Sequence, residues 1–357
     1  MGQSDNSVAE KTAFSGMLPE EIAAVCNLPQ RFQSMQIFQW IARGCSSFEE
    51  MTNLPLKERE RLAGEYTLRN TVCETILKDP DGTVKLGIGL YDGSSIETVL
   101  LFDKAARRTA CVSCQVGCPM GCTFCQTGQL GCLRNLVPNE IVEQFLHLEN
   151  ICGKLDNIVF MGMGEPLLNL DSIAKTIAVL THPKGRNLSH RRITLSTSGI
   201  CKGIYELADR QLDIRLAVSL TTADEALRTA LMPVTKANPL GELKKAIRYF
   251  NNKTDKRVTL ELALLKDVNT SYKAAQQVCA FAEGLNVHIN LIPWNPVQQL
   301  PYSTPSDSEI RSFYHYLTAE NLNVTVRQKR GRTIGGACGQ LGKKGYSKST
   351  KPDTKQI

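Results

Sequence analysis

Three cysteines share one short run, Cys118-Pro119-Met120-Gly121-Cys122-Thr123-Phe124-Cys125. Thiolates spaced this closely on a loop can each ligate a different iron of a cubane cluster and leave the fourth iron open. An open iron is a place where a small molecule can bind. Structural zinc is the plain alternative for clustered thiols, but it takes four closed ligands, usually from CxxC pairs, and this loop offers an uneven triplet. Of the 13 cysteines in the chain, five fall between Cys111 and Cys125. Met1 to Asn6 lack the charged-then-apolar order of a signal peptide, and no apolar run approaches the ~20 residues of a membrane span. Clustered thiols without a secretion signal suit a metal or redox site in a reducing compartment better than a disulfide framework. The expectation is a cytoplasmic protein with no membrane association.

The elements that must position these thiols can be read from periodicity and turn residues. The chain has 357 residues, 42% of them apolar and 22% charged, enough for a large catalytic domain with a smaller accessory one. Residues 1–70 read as a helical module: Phe32, Met35, Ile37, Phe38 and Ile41 lie near helical spacing, and Leu54-Pro55 opens another helix. Residues 71–104 read as a three-stranded meander broken at Asp79-Pro80-Asp81-Gly82 and Asp92-Gly93. From 105 to 330, strand-like runs at 157–161, 192–196, 213–220, 258–264 and 287–293 alternate with amphipathic stretches at 170–180, 240–250 and 272–284. Repeated βα units imply an α/β fold with a parallel sheet, open or curled into a partial barrel. In such folds ligands sit at the C-terminal ends of the strands. Gly162-Met163-Gly164-Glu165, Ser196-Thr197-Ser198-Gly199, Ser219 and Trp294-Asn295 all fall there. Residues 331–357 form a loop and a basic tail. From Arg327 to the end nine Lys or Arg face the single Asp353, a net +8 within a chain total of +7, so residues 1–326 sum to −1. The tail is either a solvated end or a phosphate-contacting one.

The cluster loop, with an aromatic residue at Phe124 before its last cysteine, resembles that of the radical S-adenosylmethionine superfamily, and Gly164-Glu165 is similar to its GGE-type motif. Further strings narrow the likeness: Cys111-Val112-Ser113, Met161 to Asn169, Leu195 to Gly199, Ile289 to Pro296, and Ala337-Cys338-Gly339-Gln340-Leu341. Spread in order over about 230 residues, they resemble the RlmN/Cfr family of RNA methyltransferases. The resemblance implies a partial (β/α)6 barrel of the radical type behind a small N-terminal RNA-binding domain. It implies a 4Fe-4S cluster on Cys118, Cys122 and Cys125, and S-adenosylmethionine, two per turnover, held by Gly164, Glu165, Ser196, Ser219, Leu220, Thr221 and Asn295. It also assigns Cys338 as a methyl-carrying cysteine, Cys111 as the thiol that resolves a covalent RNA intermediate, and Glu97 as a general base. Such a relay has a chemical reason. The ring carbons C2 and C8 of adenine are electron-poor, so direct displacement on a sulfonium methyl is unavailable to them. Three departures from the family pattern stand out: Thr221 where His is usual, Cys114 where Ser is usual, and Gly335-Gly336 where the local sequence is usually more acidic.

The substrates implied are an adenosine in the peptidyl-transferase region of 23S rRNA and the adenosine 3′ of certain tRNA anticodons. Glu165-Pro166-Leu167-Leu168-Asn169 and Ile292-Pro293-Trp294-Asn295-Pro296 resemble the versions in C2 methyltransferases rather than C8 methyltransferases. An adenine edge can meet a buried cluster only if the base is unstacked or extruded. Lys184, Arg186, Arg191, Arg192, Arg327, Lys329, Arg330 and Arg332 are candidates to grip the backbone. An electron donor such as a flavodoxin system, and a monomeric enzyme, complete the expectation. The alternatives are a C8 methyltransferase, or a non-catalytic iron-sulfur protein that binds RNA or senses redox state. Cluster ligation alone does not require Cys111 and Cys338, which disfavours the second.

Overall fold

A computed structural model describes residues 11–28, 30–103 and 105–342. The expectations for Met1 to Asn6 and for the tail beyond 342 therefore lie outside the described residues. The chain begins with three helices, α1 (Pro19–Cys26), α2 (Arg31–Ala42) and α3 (Leu56–Glu65). Ile37, Phe38 and Ile41 are buried as the spacing of α2 requires, whereas Phe32 is largely exposed. Three antiparallel strands follow: β1 (Val72–Lys78), β2 (Val84–Gly89) and β3 (Ser95–Phe102). The Asp-Pro-Asp-Gly and Asp-Gly turns separate them where turn chemistry places breaks, with Gly82 and Gly93 both at positive φ.

The meander does not stand apart from the barrel. β3 pairs antiparallel with β4 (Arg108–Cys111), which opens the parallel sheet. After the small hairpin β5 (Gln115–Cys118) and β6 (Gly131–Asn135), the chain runs α4 (Pro138–Cys152), β7 (Asn157–Phe160), α5 (Leu170–Thr181), β8 (Ile193–Thr197), α6 (Cys201–Arg210) and β9 (Arg215–Ser219). It continues through α7 (Glu225–Leu231), α8 (Leu240–Thr254), β10 (Val258–Leu264), α9 (Tyr272–Ala282), β11 (Val287–Pro293), α10 (Asp307–Ala319) and β12 (Val324–Val326). The large sheet has the order β1-β2-β3-β4-β7-β8-β9-β10-β11-β12 and does not close. Its parallel strands from β4 onward alternate with helices, so this is an open α/β partial barrel of the expected kind.

The apolar strands β8, β9, β10 and β11 meet the helices in one core containing Ile193, Leu216, Leu260 and Ile289. The same core takes in Phe14, Ile22 and Ile37 of the first segment, and polar groups add to the joint. Glu143 on α4 is fully buried and accepts from the Ser15 and Thr71 hydroxyls and from the Asn139 amide, which ties the first segment of the chain to the barrel. Burial pushes its carboxyl above the usual range while these donors pull it back.

Candidate active site

The cluster loop leaves β5 at Cys118 and returns through β6. Its backbone is held by neighbours remote in sequence: Thr123 N–H donates to the Leu231 carbonyl, the Trp294 indole donates to the Phe124 carbonyl, and Gln126 N–H donates to the Gly339 carbonyl. A Cβ on Gly128 would stand 2.9 Å from the backbone of Cys122, so this close turn requires glycine. Burial pushes the Cys118 thiol up to about 12 and raises Cys122 and Cys125 as well. Three such thiols give up their protons only to a strong local positive charge, which iron supplies. Among the described residues no three His, Cys, Asp or Glu side chains converge as the ligands of a single metal ion do. A cubane asks for another arrangement, one thiolate per iron. The donor set fits such a cluster.

Beside the three thiols lies an inner cavity of about 190 Å³ lined by Gly164, Glu165, Ser196, Ser219, Thr221 and Asn295 as well as Cys338. The strand ends create it, as expected for a parallel sheet. Gly164 has φ +108°, and a Cβ there would meet the Gln115 side chain at 2.7 Å. One Glu165 oxygen accepts from Ser198 N–H and Oγ at 2.7 Å each, and the other from Leu167 N–H. Burial raises the Glu165 carboxyl, and the Ser198 donors oppose that rise. Asn295 donates through Nδ2 to the Cys338 carbonyl, while its buried Oδ1 has no hydrogen-bond partner among the described residues. An unpaired buried acceptor facing a cavity suits a ligand that brings a donor, such as an ammonium or hydroxyl group. Thr221 sits at φ +60°, an uncommon conformation for a β-branched residue. Leu220 alone of the expected cofactor contacts is not at the cavity wall. It is buried, its N–H donates to the Glu261 carbonyl, and its own carbonyl accepts from Arg228.

An outer cavity of about 560 Å³ adjoins the inner one and is lined by Cys111 and by Arg107, Arg327, Lys329 and Arg330. Cys338, Cys125, Asn295 and Arg327 line both. Burial, and then the neighbouring Cys338, push the Cys111 thiol up to about 12, and the Arg327 guanidinium pulls it back down. Arg327 is itself held above its ordinary value, first by Cys338 and then by Glu261, whose carboxylate lies 4.0 Å away. Cys114 lines neither cavity. It is buried, and burial raises its thiol, with Glu165 and Cys118 adding to the rise. Glu97 also lines neither cavity: it is buried beneath the Cys338 loop, paired with Lys85.

The basic residues divide similarly. Arg186 donates to Glu149 and to the Leu155 carbonyl and stacks over Phe145, which makes it part of the packing. Lys329 and Arg332 are exposed, and Arg330 is half-buried at the outer cavity. Three residues escaped the sequence reading. Lys85 in β2 and Glu261 in β10 are charges inside apolar strands, a pattern that could have singled them out. Arg228 on α7 looks like any helical arginine; only packing buries it.

The comparisons with known proteins agree with this geometry. The family model described as the radical SAM superfamily matches residues 112–275, and the ribosomal RNA large subunit methyltransferase N-terminal domain matches 28–68. A protein of Treponema denticola named "Probable dual-specificity RNA methyltransferase RlmN" is 64% identical, covering 93% of this chain and 96% of that relative. One of the same name from the Nichols strain of Treponema pallidum is 58% identical, over 93% and 97%. The crystal structure of a radical SAM methyltransferase from Sphaerobacter thermophilus superposes with a TM-score of 0.88 at 39% identity, covering 92% of this chain and 99% of that one. The fold, the cluster and S-adenosylmethionine as cofactors, and the methyltransferase activity follow, and the chain belongs to the RlmN family of radical S-adenosylmethionine RNA methyltransferases.

Proposed function

We propose that this enzyme methylates carbon 2 of an adenosine in the peptidyl-transferase region of 23S rRNA, and of the adenosine 3′ of certain tRNA anticodons, through a methylated Cys338. The observation that carries the reading is the position of Cys338 in the wall between two adjoining cavities. One cavity holds the cluster thiols and the other holds Cys111. A sulfur so placed can take a methyl group on one side and deliver it on the other.

Cys118, Cys122 and Cys125 hold the cluster; Gly164, Glu165, Ser196, Ser219, Thr221 and Asn295, with the segment at Leu220, hold S-adenosylmethionine. With the cluster in place and one electron delivered, S-adenosylmethionine held there would supply a 5′-deoxyadenosyl radical. Cys338 acts first as an ordinary nucleophile: its sulfur bonds to the sulfonium methyl, its proton departs, and S-adenosylhomocysteine leaves. In the second half-reaction the S-methyl group of Cys338 gives one hydrogen atom to that radical, which becomes 5′-deoxyadenosine, and the remaining methylene radical on Cys338 bonds to the adenine carbon. The adduct loses one electron, which the cluster, oxidised when the cofactor was cleaved, would take back, and the proton of that carbon, which Glu97 accepts. Cys111 then gives up its thiol proton and attacks the Cys338 sulfur. A disulfide forms, the sulfur–carbon bond breaks, and the released methylene takes a proton to become the methyl group. The cations at the outer cavity rim suit an RNA backbone whose target base is extruded. Residues 1–70 serve as the RNA-binding accessory domain, 71–104 as the meander, 105–330 as the barrel and 331–357 as the catalytic loop and tail. The working form is a cytoplasmic monomer fed by a flavodoxin-type donor.

Isotope transfer tests the relay. With S-adenosylmethionine carrying a trideuterated methyl, 5′-deoxyadenosine should gain one deuterium, and the methyl group on adenine should retain two. A methyladenine with all three deuteriums refutes the route through Cys338.

A further inference from the structure

Lys85 and Glu97 form an ion pair inside the protein, Nζ to Oε1 at 2.8 Å, with each side chain only 2% exposed. They are not directly opposite one another. Gly87 pairs with Glu97 and Lys85 with Val99, so the two side chains are diagonal neighbours on one face of the β2–β3 ladder. Each has a second partner in the loop that carries Cys338. The Lys85 ammonium donates to the Gly335 carbonyl at 3.2 Å, and Glu97 Oε2 accepts from Gly342 N–H at 2.7 Å. These two contacts straddle Cys338. The β1–β2 turn holds the start of the same loop, because Asp79 Oδ2 accepts from the Thr333 N–H and hydroxyl and Asp81 Oδ2 accepts from Gly331 N–H. The glycines at 335, 336, 339 and 342 leave that loop little stiffness of its own.

We propose that Lys85 is a positioning residue of the methyl-transfer site. Paired with Glu97, it latches the Cys338 loop in the position where the sulfur borders both cavities. The inference rests on the role of Cys338 proposed above and adds the device that holds it. A buried charge pair suits a latch: either partner left alone in the interior is strongly disfavoured, so the pair and the loop bonds it makes persist together. Both Glu97 oxygens are engaged while the loop is in place.

The test compares Lys85→Met and Lys85→Arg with the wild type as full-length, cluster-loaded enzyme. Methyl loading of Cys338 needs only that the sulfur visit the cofactor, which a loosened loop still does. Addition to the base and attack by Cys111 need the sulfur held. Lys85→Met should therefore load Cys338 with methyl to the wild-type extent, read by peptide mass spectrometry without reductant, while methyladenosine formation falls at least about tenfold, the factor matching ~1.4 kcal/mol. Hydrogen exchange should accelerate in 331–342 and stay unchanged in β7 to β11. Lys85→Arg should restore most of the product. If Lys85→Met yields no folded enzyme, Lys85→Gln carries the same expectation. Wild-type exchange and product in the neutral variant overturn the proposal, as does a parallel fall in loading and product. A wild type that makes product with no methyl on Cys338 sinks the relay instead, and the exchange measurement then still decides the latch.

Discussion

Replacing Arg228 with Met tests how the floor of the inner cavity is built. The side chain has no solvent exposure, and its bonds go only to neutral acceptors. Nε donates to the Leu220 carbonyl at 3.1 Å, one terminal nitrogen to Thr235 Oγ1 at 2.8 Å, and the other to the carbonyls of Ser198 at 2.7 Å and Ser219 at 3.0 Å. Four charge-assisted bonds at the low end of ~1.5 kcal/mol each contribute about 6 kcal/mol. Against them stands the burial of a cation that has no carboxylate within ion-pair distance among the described residues. That burial pushes its pKa down to about 10, a penalty of about 3 kcal/mol that a Met side chain does not incur. The bonds win, and Arg228→Met should destabilise the protein by about 3 kcal/mol, lowering Tm by roughly 5 °C in a domain of this size. The affinity for S-adenosylmethionine should fall too, because Arg228 joins the ends of β8 and β9 that carry Ser196 and Ser219. Differential scanning calorimetry and equilibrium dialysis of the loaded enzyme read the two effects. A variant melting within about 1 °C of the wild type would show that the buried cation roughly offsets its own bonds.

Three further outcomes follow from the geometry. Gly164→Ala places a Cβ 2.7 Å from Gln115 at φ +108°, a strain of about 1–3 kcal/mol; S-adenosylmethionine should bind at least several-fold more weakly, measured by dialysis, with iron content unchanged. Cys111→Ala should keep the cluster and accumulate protein crosslinked to RNA on denaturing gels, and normal turnover by this variant would remove Cys111 from the resolving role. Stability should depend on alkaline pH: burial raises the Cys26 thiol to about 12, so its contribution is fully present below the unfolded value near ~8.5 and declines by up to ~1.4 kcal/mol per pH unit as pH rises toward 12. Urea titrations between those limits should show the decline, and Cys26→Ala should reduce its slope.

The sequence by itself determined the cluster loop, the meander, the parallel strands β7 to β11 and the family, but not β4, β5, β6 or β12. The chemistry of the three cysteines depends on spacing within eight residues, and strands such as Val258–Leu264 and Val287–Pro293 announce themselves by local pattern, so both survive without knowledge of the fold. Helix ends were read less well: α8 runs to Thr254, beyond the 240–250 stretch, because polar residues extend a helix whose apolar face has already been buried. Tertiary structure alone decided what meets what. It joined the meander to the barrel through β3 and β4 and turned Arg327 toward Cys111, Cys338 and Glu261. It also set Glu97 against Lys85 beneath the Cys338 loop. Contacts of this kind join residues up to 254 positions apart. No local periodicity encodes them; they arise when the chain packs around side chains whose charge can be tolerated only opposite a partner.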